Sequence, residues 1–315
     1  MKNRIVKTSA LFLATVFILA STACRNKQQP LVPPDPPEDR TPMIYSHVAI
    51  IGVDGGGNFF NKTDTPNMDR IFSEGATTYS ATTEIPSSST ENWTSMFLGV
   101  GCDIHGCPRN FDSSFTYPSV FRLLRQKDPN ADMCSFVCWE TINSFIEWDI
   151  GLLDYRGKND KNSDRLIAEK AEKTVLDFCP ELLFIQFNAS DGYGHDYGFG
   201  LKEELDYITV LDEYIGRIYQ AYDDMGILDE TLFIVTADHG GTHYVDENGM
   251  TVGSHGGTSP EETTVFLGIA GKTVANIDLG AIKNRDVAAI TAAALGIEIP
   301  EIWTSKVPEG LFTDR

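Results

Sequence analysis

The residues best suited to chemistry sit where short apolar runs stop. The run Leu232-Phe233-Ile234-Val235-Thr236-Ala237 ends at Asp238-His239-Gly240-Gly241. A stretch so rich in β-formers reads as a buried parallel strand. In open α/β sheets the ligand site lies just beyond the carboxyl ends of strands. Asp238 and His239 fall at such an end. An adjacent carboxylate and imidazole suit a divalent transition metal, zinc above all. Alone, the stretch reads equally well as a polar strand exit. It gains weight because other apolar runs end the same way. His47 to Val53 runs into Asp54, and Leu182 to Phe187 runs into Asp191, with His195 four residues on. A loop after Asp238 carries His243 and Gly253-Ser254-His255-Gly256-Gly257. Asp54, Asp191, His195, Asp238, His239 and His255 make six N/O ligands. One zinc takes four, so six with a serine divide more naturally over two ions. Two metals about 4 Å apart can clamp the attacking and leaving oxygens of a displacement at phosphorus.

The serine is in Pro86-Ser87-Ser88-Ser89-Thr90-Glu91-Asn92. Trp93, Met96 and Phe97 follow at helical spacing, so the serines sit at a helix start. Free backbone N–H groups there favour an anion. For an isolated serine-rich start, capping alone is the plainer account.

The elements that must position these groups alternate between strand and helix. Thr65-Pro66-Asn67 opens a helix, with Thr65 as cap and Pro66 in the first turn. Residues 76–81 form a short strand, 119–127 a helix and 131–138 a strand. A helix spans 163–179, a strand 181–188, a long helix 202–225, a strand 264–269 and a closing helix 285–295. This order predicts an α/β fold: a mostly parallel central sheet with helices on both faces. Region 111–161 is less regular and aromatic, with Trp139, Phe145, Trp148 and Tyr155. It reads as a variable, pocket-forming region, although core packing is the commoner use of such residues.

Lys2, Arg4 and Lys7 precede the apolar run from Ala10 to Ala20, and Ser21-Thr22-Ala23 lead to Cys24. The apolar run is too short to span a membrane, so residues 1–23 read as an export signal. Small residues before a cysteine resemble a bacterial lipoprotein signal, with Ser21 a departure and ordinary cleavage near Ala23 the rival. Residues 24–42 are proline-rich and read as an extended tether. Residues 43–315 are long enough for one large domain. The expected location is the bacterial cell envelope, periplasmic or at the surface, with a lipid on Cys24.

The formal charge is 25 − 45 = −20. That excludes a surface built to coat duplex nucleic acid. It does not exclude a phosphoester substrate, because bound cations invert the local field. Five cysteines remain after Cys24. Export permits disulfides, and Cys102/Cys107 and Cys134/Cys138 are close in sequence, with Cys179 left over; buried thiols are an equal alternative. Nothing in the sequence fixes an oligomeric state.

Taken in order, the motifs resemble those of the alkaline phosphatase superfamily. The nearest likeness is to its type I phosphodiesterase/nucleotide pyrophosphatase branch and to related bacterial phosphatase-like lipoproteins. The likeness runs through Val53-Asp54-Gly55, Thr65-Pro66-Asn67-Met68-Asp69, Ser89-Thr90-Glu91-Asn92-Trp93, Gly99 and His105-Gly106. It resumes at Asp191-Gly192-Tyr193-Gly194-His195, Asp238-His239-Gly240 and His255-Gly256. The resemblance implies two zinc sites. Asp191, His195 and His255 hold one. Asp54, Asp238 and His239 hold the other, beside Ser89 as the nucleophile and an additional ligand. Asn92 falls where a side-chain amide contacts a phosphoryl oxygen. His243 has no matching role.

This chain has Ser89-Thr90-Glu91-Asn92 where the nucleotide pyrophosphatases read Thr-Phe-Pro-Asn, so substrate preference does not carry over. Cys107-Pro108-Arg109 is spaced wrongly for a sulfatase, and there is no room for the inserted domain of the cofactor-independent phosphoglycerate mutases. The expected activity is metal-dependent hydrolysis of a phosphodiester or pyrophosphate, or of a phosphomonoester with Arg109 as the extra cation. The substrate would be a small phosphoester, a nucleotide, or a lipid- or glycan-linked compound. The alternatives are transfer of a phospho-group to a glycan or lipid alcohol, and a non-catalytic surface binding protein.

Overall fold

The structure, a computed structural model, describes residues 41–106, 117–146, 151–158 and 162–313. The export signal, Cys24, most of the tether, Cys107, Arg109 and Trp148 lie outside the described residues, as do parts of region 111–161. Among the described residues, no helix is long and apolar enough to cross a membrane.

The strands are β1 His47–Val53, β2 Ala76–Thr82, β3 Met133–Val137, β4 Leu153–Arg156, β5 Leu182–Phe187, β6 Thr231–Ala237, β7 Thr242–Val245, β8 Thr251–Ser254 and β9 Thr264–Ala270. Seven form one sheet in the order β2-β9-β6-β1-β5-β3-β4. The run β6-β1-β5-β3-β4 is parallel throughout, while β9 is antiparallel to both β6 and β2. Buried on both faces, β1, β5 and β6 are almost wholly apolar in sequence.

The helices are α1 Pro66–Phe72, α2 Ser89–Leu98, α3 Cys102–His105, α4 Val120–Lys127, α5 Ser163–Phe178, α6 Ala189–Tyr197, α7 Lys202–Asp224, α8 Pro260–Thr263 and α9 Asp286–Ala294. Residues of α2, α4 and α9 pack with Val48, Ile50, Phe184 and Ile234 in one core. Residues of α1, α5 and α7 pack with Ala49, Ile51, Ile185 and Val235 in the other. Alternate residues of β1 thus feed opposite layers, as the period of a strand requires. Helices cover both faces of a mostly parallel sheet.

Several local expectations change. Region 111–161, where it is described, is part of the sheet and its cover. It supplies α4, β3 and the edge strand β4, and Phe145 is buried in the core while Trp139 packs against it. Thr65 makes no side-chain cap. The carboxylate of Asp212 on α7 reaches across instead and accepts from the backbone N–H groups of Asn67 and Met68. The segment holding Asp191 and His195, to which the sequence assigned no element, is a helix, α6. Gly194 is needed there because a Cβ would lie 2.3 Å from the Phe199 ring. The loop after Asp238 is a hairpin, β7–β8. Cys138 donates its thiol to Asp164 at 3.0 Å, and burial pushes the Cys134 thiol up to about 12.

Gly52 is the tightest point of the central strand. A Cβ there would lie 2.2 Å from the ring of Trp93 on α2. Neither a central strand nor a fully buried indole gives way easily, and overpacking of this kind costs about 1–3 kcal/mol. Gly52→Ala is therefore expected to lower the unfolding free energy by that amount, read as a lower urea midpoint at unchanged m-value; an unshifted midpoint would show that α2 is loosely docked.

Candidate functional site

β1 lies between β6 and β5, and their register aligns Val53 with Ala237 on one side and Phe187 on the other. Asp54 therefore leaves the sheet beside Asp238-His239. Asn188, next to Phe187, begins the segment that turns into α6. Three neighbouring parallel strands deliver Asp54, Asp238 and Asp191 to one carboxyl edge. Ser89, in the first turn of α2, comes in from the face covered by that helix. His255 follows β8, and its loop is stitched to the turn before α2: Gly256 N–H donates to Ser87 Oγ, and the Ser87 hydroxyl donates to the Gly257 carbonyl.

These residues form two groups. Asp54, Asp238 and His239 are buried at 2%, 0% and 0% exposure. Asp191, His195 and His255 lie nearer solvent, with His195 exposed. His239 Nε2 stands 3.5 Å from both Asp54 Oδ1 and Asp238 Oδ2. Asp191 Oδ1 is 3.5 Å from His195 Nε2 and 3.6 Å from His255 Nε2. The groups abut, for the His239 and His255 rings stack with centroids 3.8 Å apart.

Every imidazole is turned the same way. Nδ1 of His239 donates to the Gly240 carbonyl (2.8 Å), that of His255 to Ser87 (3.0 Å) and that of His195 to Gly253 (3.1 Å). The network thus assigns each Nε2 a free lone pair aimed into the site, the arrangement of metal-bound histidines. Burial holds His239 below the usual histidine range, and burial with the neighbouring histidines holds His255 at about 3. Both shifts favour the neutral ring that a metal ligand requires.

The carboxylates show the same division. Asp238 Oδ1 accepts from the N–H groups of Gly55 and His239, and Oδ2 is buried with no hydrogen-bond partner. Asp191 Oδ1 is likewise buried without one. Burial and the nearby Asp54 carboxylate push Asp191 and Asp238 well above the ordinary range. Among the described residues, histidines and not Lys or Arg face these acids. Orphaned carboxylate oxygens beside imidazole lone pairs fit divalent cations.

Ser89 Oγ lies 3.2 Å from Asp54 Oδ1 and 3.0 Å from His239 Nε2. Its hydroxyl points into the buried group. Ser88 has extended backbone, with φ −117° and ψ 150°, and Ser87 is wholly buried in its structural bonds. Asn92 lies in the first turn of α2, beside Ser89. It is 0% exposed, its Oδ1 accepts from Glu84 N–H and Asn284 Nδ2, and its Nδ2 donates to the Ser88 carbonyl. These bonds tie it to the serine turn. His243 donates Nδ1 to the Phe199 carbonyl.

Sequence reasoning passed over several residues. Ser87, as described, orients His255. Asp164 on α5 accepts from the N–H groups of Asn188 and Ala189 and from the Tyr207 hydroxyl, fixing the start of α6. Gln186 and Trp93 both donate to Asp54 Oδ2. Among these, only Gln186, a lone polar residue in an apolar strand, carried a visible signal. Glu204 on α7 accepts from Ser190 Oγ and Gly200 N–H behind Asp191, and burial pushes it up to about 8.

Because Glu204 is raised, the folded chain binds its proton where the unfolded chain has lost it. Its contribution is complete below the unfolded value near 4.5 and is lost as pH rises through about 8. In chelator-treated protein, Glu204→Gln should remove this slope. The variant should be more stable than the parent at pH 8.5 by on the order of a few kcal/mol, and no more stable at pH 4. Parallel urea-stability curves across that range would contradict it.

A mostly parallel sheet with acids at three adjacent strand ends and a helix-start serine is the alkaline-phosphatase type of α/β fold. The model of the type I phosphodiesterase / nucleotide pyrophosphatase family matches residues 113–293, and the chain belongs to that family. The matched range contains Asp191, His195, Asp238, His239 and His255, while Asp54 and Ser89 precede it. The structure is similar to that of murine ectonucleotide pyrophosphatase/phosphodiesterase 5, solved in an inactive form with AMP, at TM-score 0.68 and 14% identity over 82% of this chain and 97% of that one. The human counterpart superposes with the same score. In sequence, the chain is 22% identical over 266 residues to GPI ethanolamine phosphate transferase 1 of Saccharomyces cerevisiae, covering 72% of this chain. It is 26% identical over 151 residues to its namesake from Emericella nidulans, covering 40% of this chain. The chain spans only 28% and 15% of the lengths of those two relatives.

Proposed function

We propose that the chain is a two-zinc phosphoesterase that works through a covalent phospho-serine on Ser89. The observation that carries this reading is the Ser89 hydroxyl, set within 3.2 Å of Asp54 Oδ1 and His239 Nε2 at a helix start. Asp54, Asp238 and His239 would hold one ion, and Asp191, His195 and His255 the other. Bound zinc would supply Lewis acidity at the phosphoryl oxygens and lower the pKa of a nearby hydroxyl. The Ser89 proton leaves to solvent, Oγ bonds to phosphorus, and the ester oxygen departs with its electron pair. Free N–H groups of the first turn of α2 favour the negative charge that builds there. Water then attacks phosphorus and returns Oγ to Ser89. The substrate class is a phosphodiester or pyrophosphate, with phosphomonoesters a further possibility. The deciding experiment is an acid quench during turnover with peptide mapping: phosphate on Ser89 supports the reading, and phosphate on Thr90 or Ser88 overturns it.

A second reading is transfer of the phospho-group to a glycan or lipid alcohol, favoured by the sequence match to two ethanolamine phosphate transferases. Turnover with and without added alcohol separates the two: a phosphoester of that alcohol as main product establishes transfer.

The proposed layout is a signal over residues 1–23, a lipidated Cys24, a tether to residue 42, and a catalytic domain over 43–315 at the bacterial cell envelope. Cys24→Ser should release the protein from membranes and leave kcat unchanged, because the tether supplies no catalytic group. Membrane retention of the processed variant would remove the lipid anchor from this scheme.

A further inference from the structure

The two oxygens of Asp54 face different surroundings. Its Oδ1 faces Ser89 and His239. Its Oδ2 accepts two N–H donors, Gln186 Nε2 at 2.9 Å and Trp93 Nε1 at 3.2 Å. Both donors are fixed in place by the fold. Gln186 is fully buried in β5, and its Oε1 accepts the backbone N–H groups of Cys138 and Trp139 at 2.9 and 3.1 Å. A flipped amide would lose both of those bonds, so the NH₂ end must face Asp54. Its other contact, the Asn188 side-chain oxygen at 3.0 Å, demands a donor as well. The Trp93 indole is fully buried, lies against Gly52 of β1, and stacks edge-on with Phe184 of β5. Its position is set by packing on the two strands that carry Asp54 and Gln186.

We propose that Gln186 and Trp93 are positioning residues for the buried metal group. By occupying Asp54 Oδ2 they leave Oδ1 as its single ligand atom. They set the metal affinity of the Asp54–Asp238–His239 group independently of the Asp191–His195–His255 group, to which neither donates. The proposal rests on the two-metal reading. Hydrogen bonds to the distal oxygen of a ligating carboxylate fix its orientation, and losing one weakens metal binding about 10- to 100-fold.

The test is zinc titration of the metal-free full chain by chelator competition, beside thermal melting. The unaltered chain should bind two zincs. The step assigned to the buried group is the one weakened by Asp238→Asn, and the other is the one weakened by His195→Ala. Trp93→Phe, which keeps an aromatic ring but removes the N–H, should weaken the buried step about tenfold and leave the other step unmoved. Gln186→Met should do the same more strongly. The pair should be coupled in the double variant because both donate to one oxygen. Equal weakening of both steps in proportion to lost melting temperature, or no weakening of either, would reduce the two residues to core packing and overturn the proposal. A parent chain that binds no zinc, although folded by its melting curve, overturns the two-metal reading and this proposal with it. A parent that binds two zincs with both steps unmoved in the variants overturns this proposal alone.

Discussion

Ser89→Ala is expected to abolish turnover and to leave the zinc content and the fold unchanged. Three neighbouring hydroxyls could in principle compete for the role. Ser87 is spent on Gly256 and Gly257 and is wholly buried. Ser88 sits on extended backbone before the helix. Thr90 is one residue further into the first turn, about 100° around the helix axis. Only Ser89 reaches the buried group, and its one proton has two acceptors, Asp54 Oδ1 and His239 Nε2. The hydroxyl is partly exposed and contributes little to the core, so its loss should shift stability by less than about 1 kcal/mol. Loss of a nucleophile on which the covalent route depends should lower kcat by at least about 10³-fold. Ser89→Thr should retain part of the rate, because the oxygen stays on Cβ. Turnover within tenfold of the parent in Ser89→Ala would end the covalent scheme, and a phospho-peptide map would show which oxygen had taken its place.

Chelation should remove activity and lower the melting temperature together. Without cations, the burial of Asp191 and Asp238 beside Asp54 disfavours their charged forms, and two of their oxygens have no partner. Ions that bind the folded chain relieve that cost and stabilise by mass action, by about 4 kcal/mol at a thousandfold excess over Kd. Zinc should restore both properties to chelated protein. Asp191→Ala and His255→Ala should need more zinc for the same activity, since two ligands of three remain, and Asp238→Asn should do the same at the buried group. Full activity after exhaustive chelation, or a melting temperature indifferent to zinc, would contradict the ligand assignment.

Much of this site was legible because strand ends are chemically conspicuous. An apolar run that stops at an acid is visible in β1 and β6, and both acids lie in the site. The parallel order of β6, β1 and β5 follows from alternating strands and helices, and it brings three acids to one edge. What stayed hidden was of two kinds. Some elements were hidden by their composition: with Gly192 and Gly194 inside it, α6 was not among the predicted helices, and the turn at Asn248-Gly249 between two short strands was passed over. Other groups act across the fold, where spacing is silent. Asp212 caps α1 from 145 residues away in sequence, and Gln186 holds Asp54 from 132 away. Asn92 kept its predicted place on the helix, but its bonds to Glu84, Ser88 and Asn284 were not legible, because spacing fixes which face a residue is on and not which atom its amide finds.

The entry point of the chain has a practical consequence. Residues 41–43 cross Gly296, and Ile44 and Tyr45 bond to the Ala294 carbonyl before β1 begins. The ligands sit at the opposite end of that strand. Seven residues of β1 at about 3.3 Å each put roughly 23 Å between the two. Anything bulky attached ahead of residue 41, whether resin, carrier or reporter, would be joined at the blind end of the strand. Enzyme captured by that end should show the same KM for a small soluble diester as enzyme free in solution, whereas capture through the β7–β8 hairpin, whose base holds His195 and His255, should not.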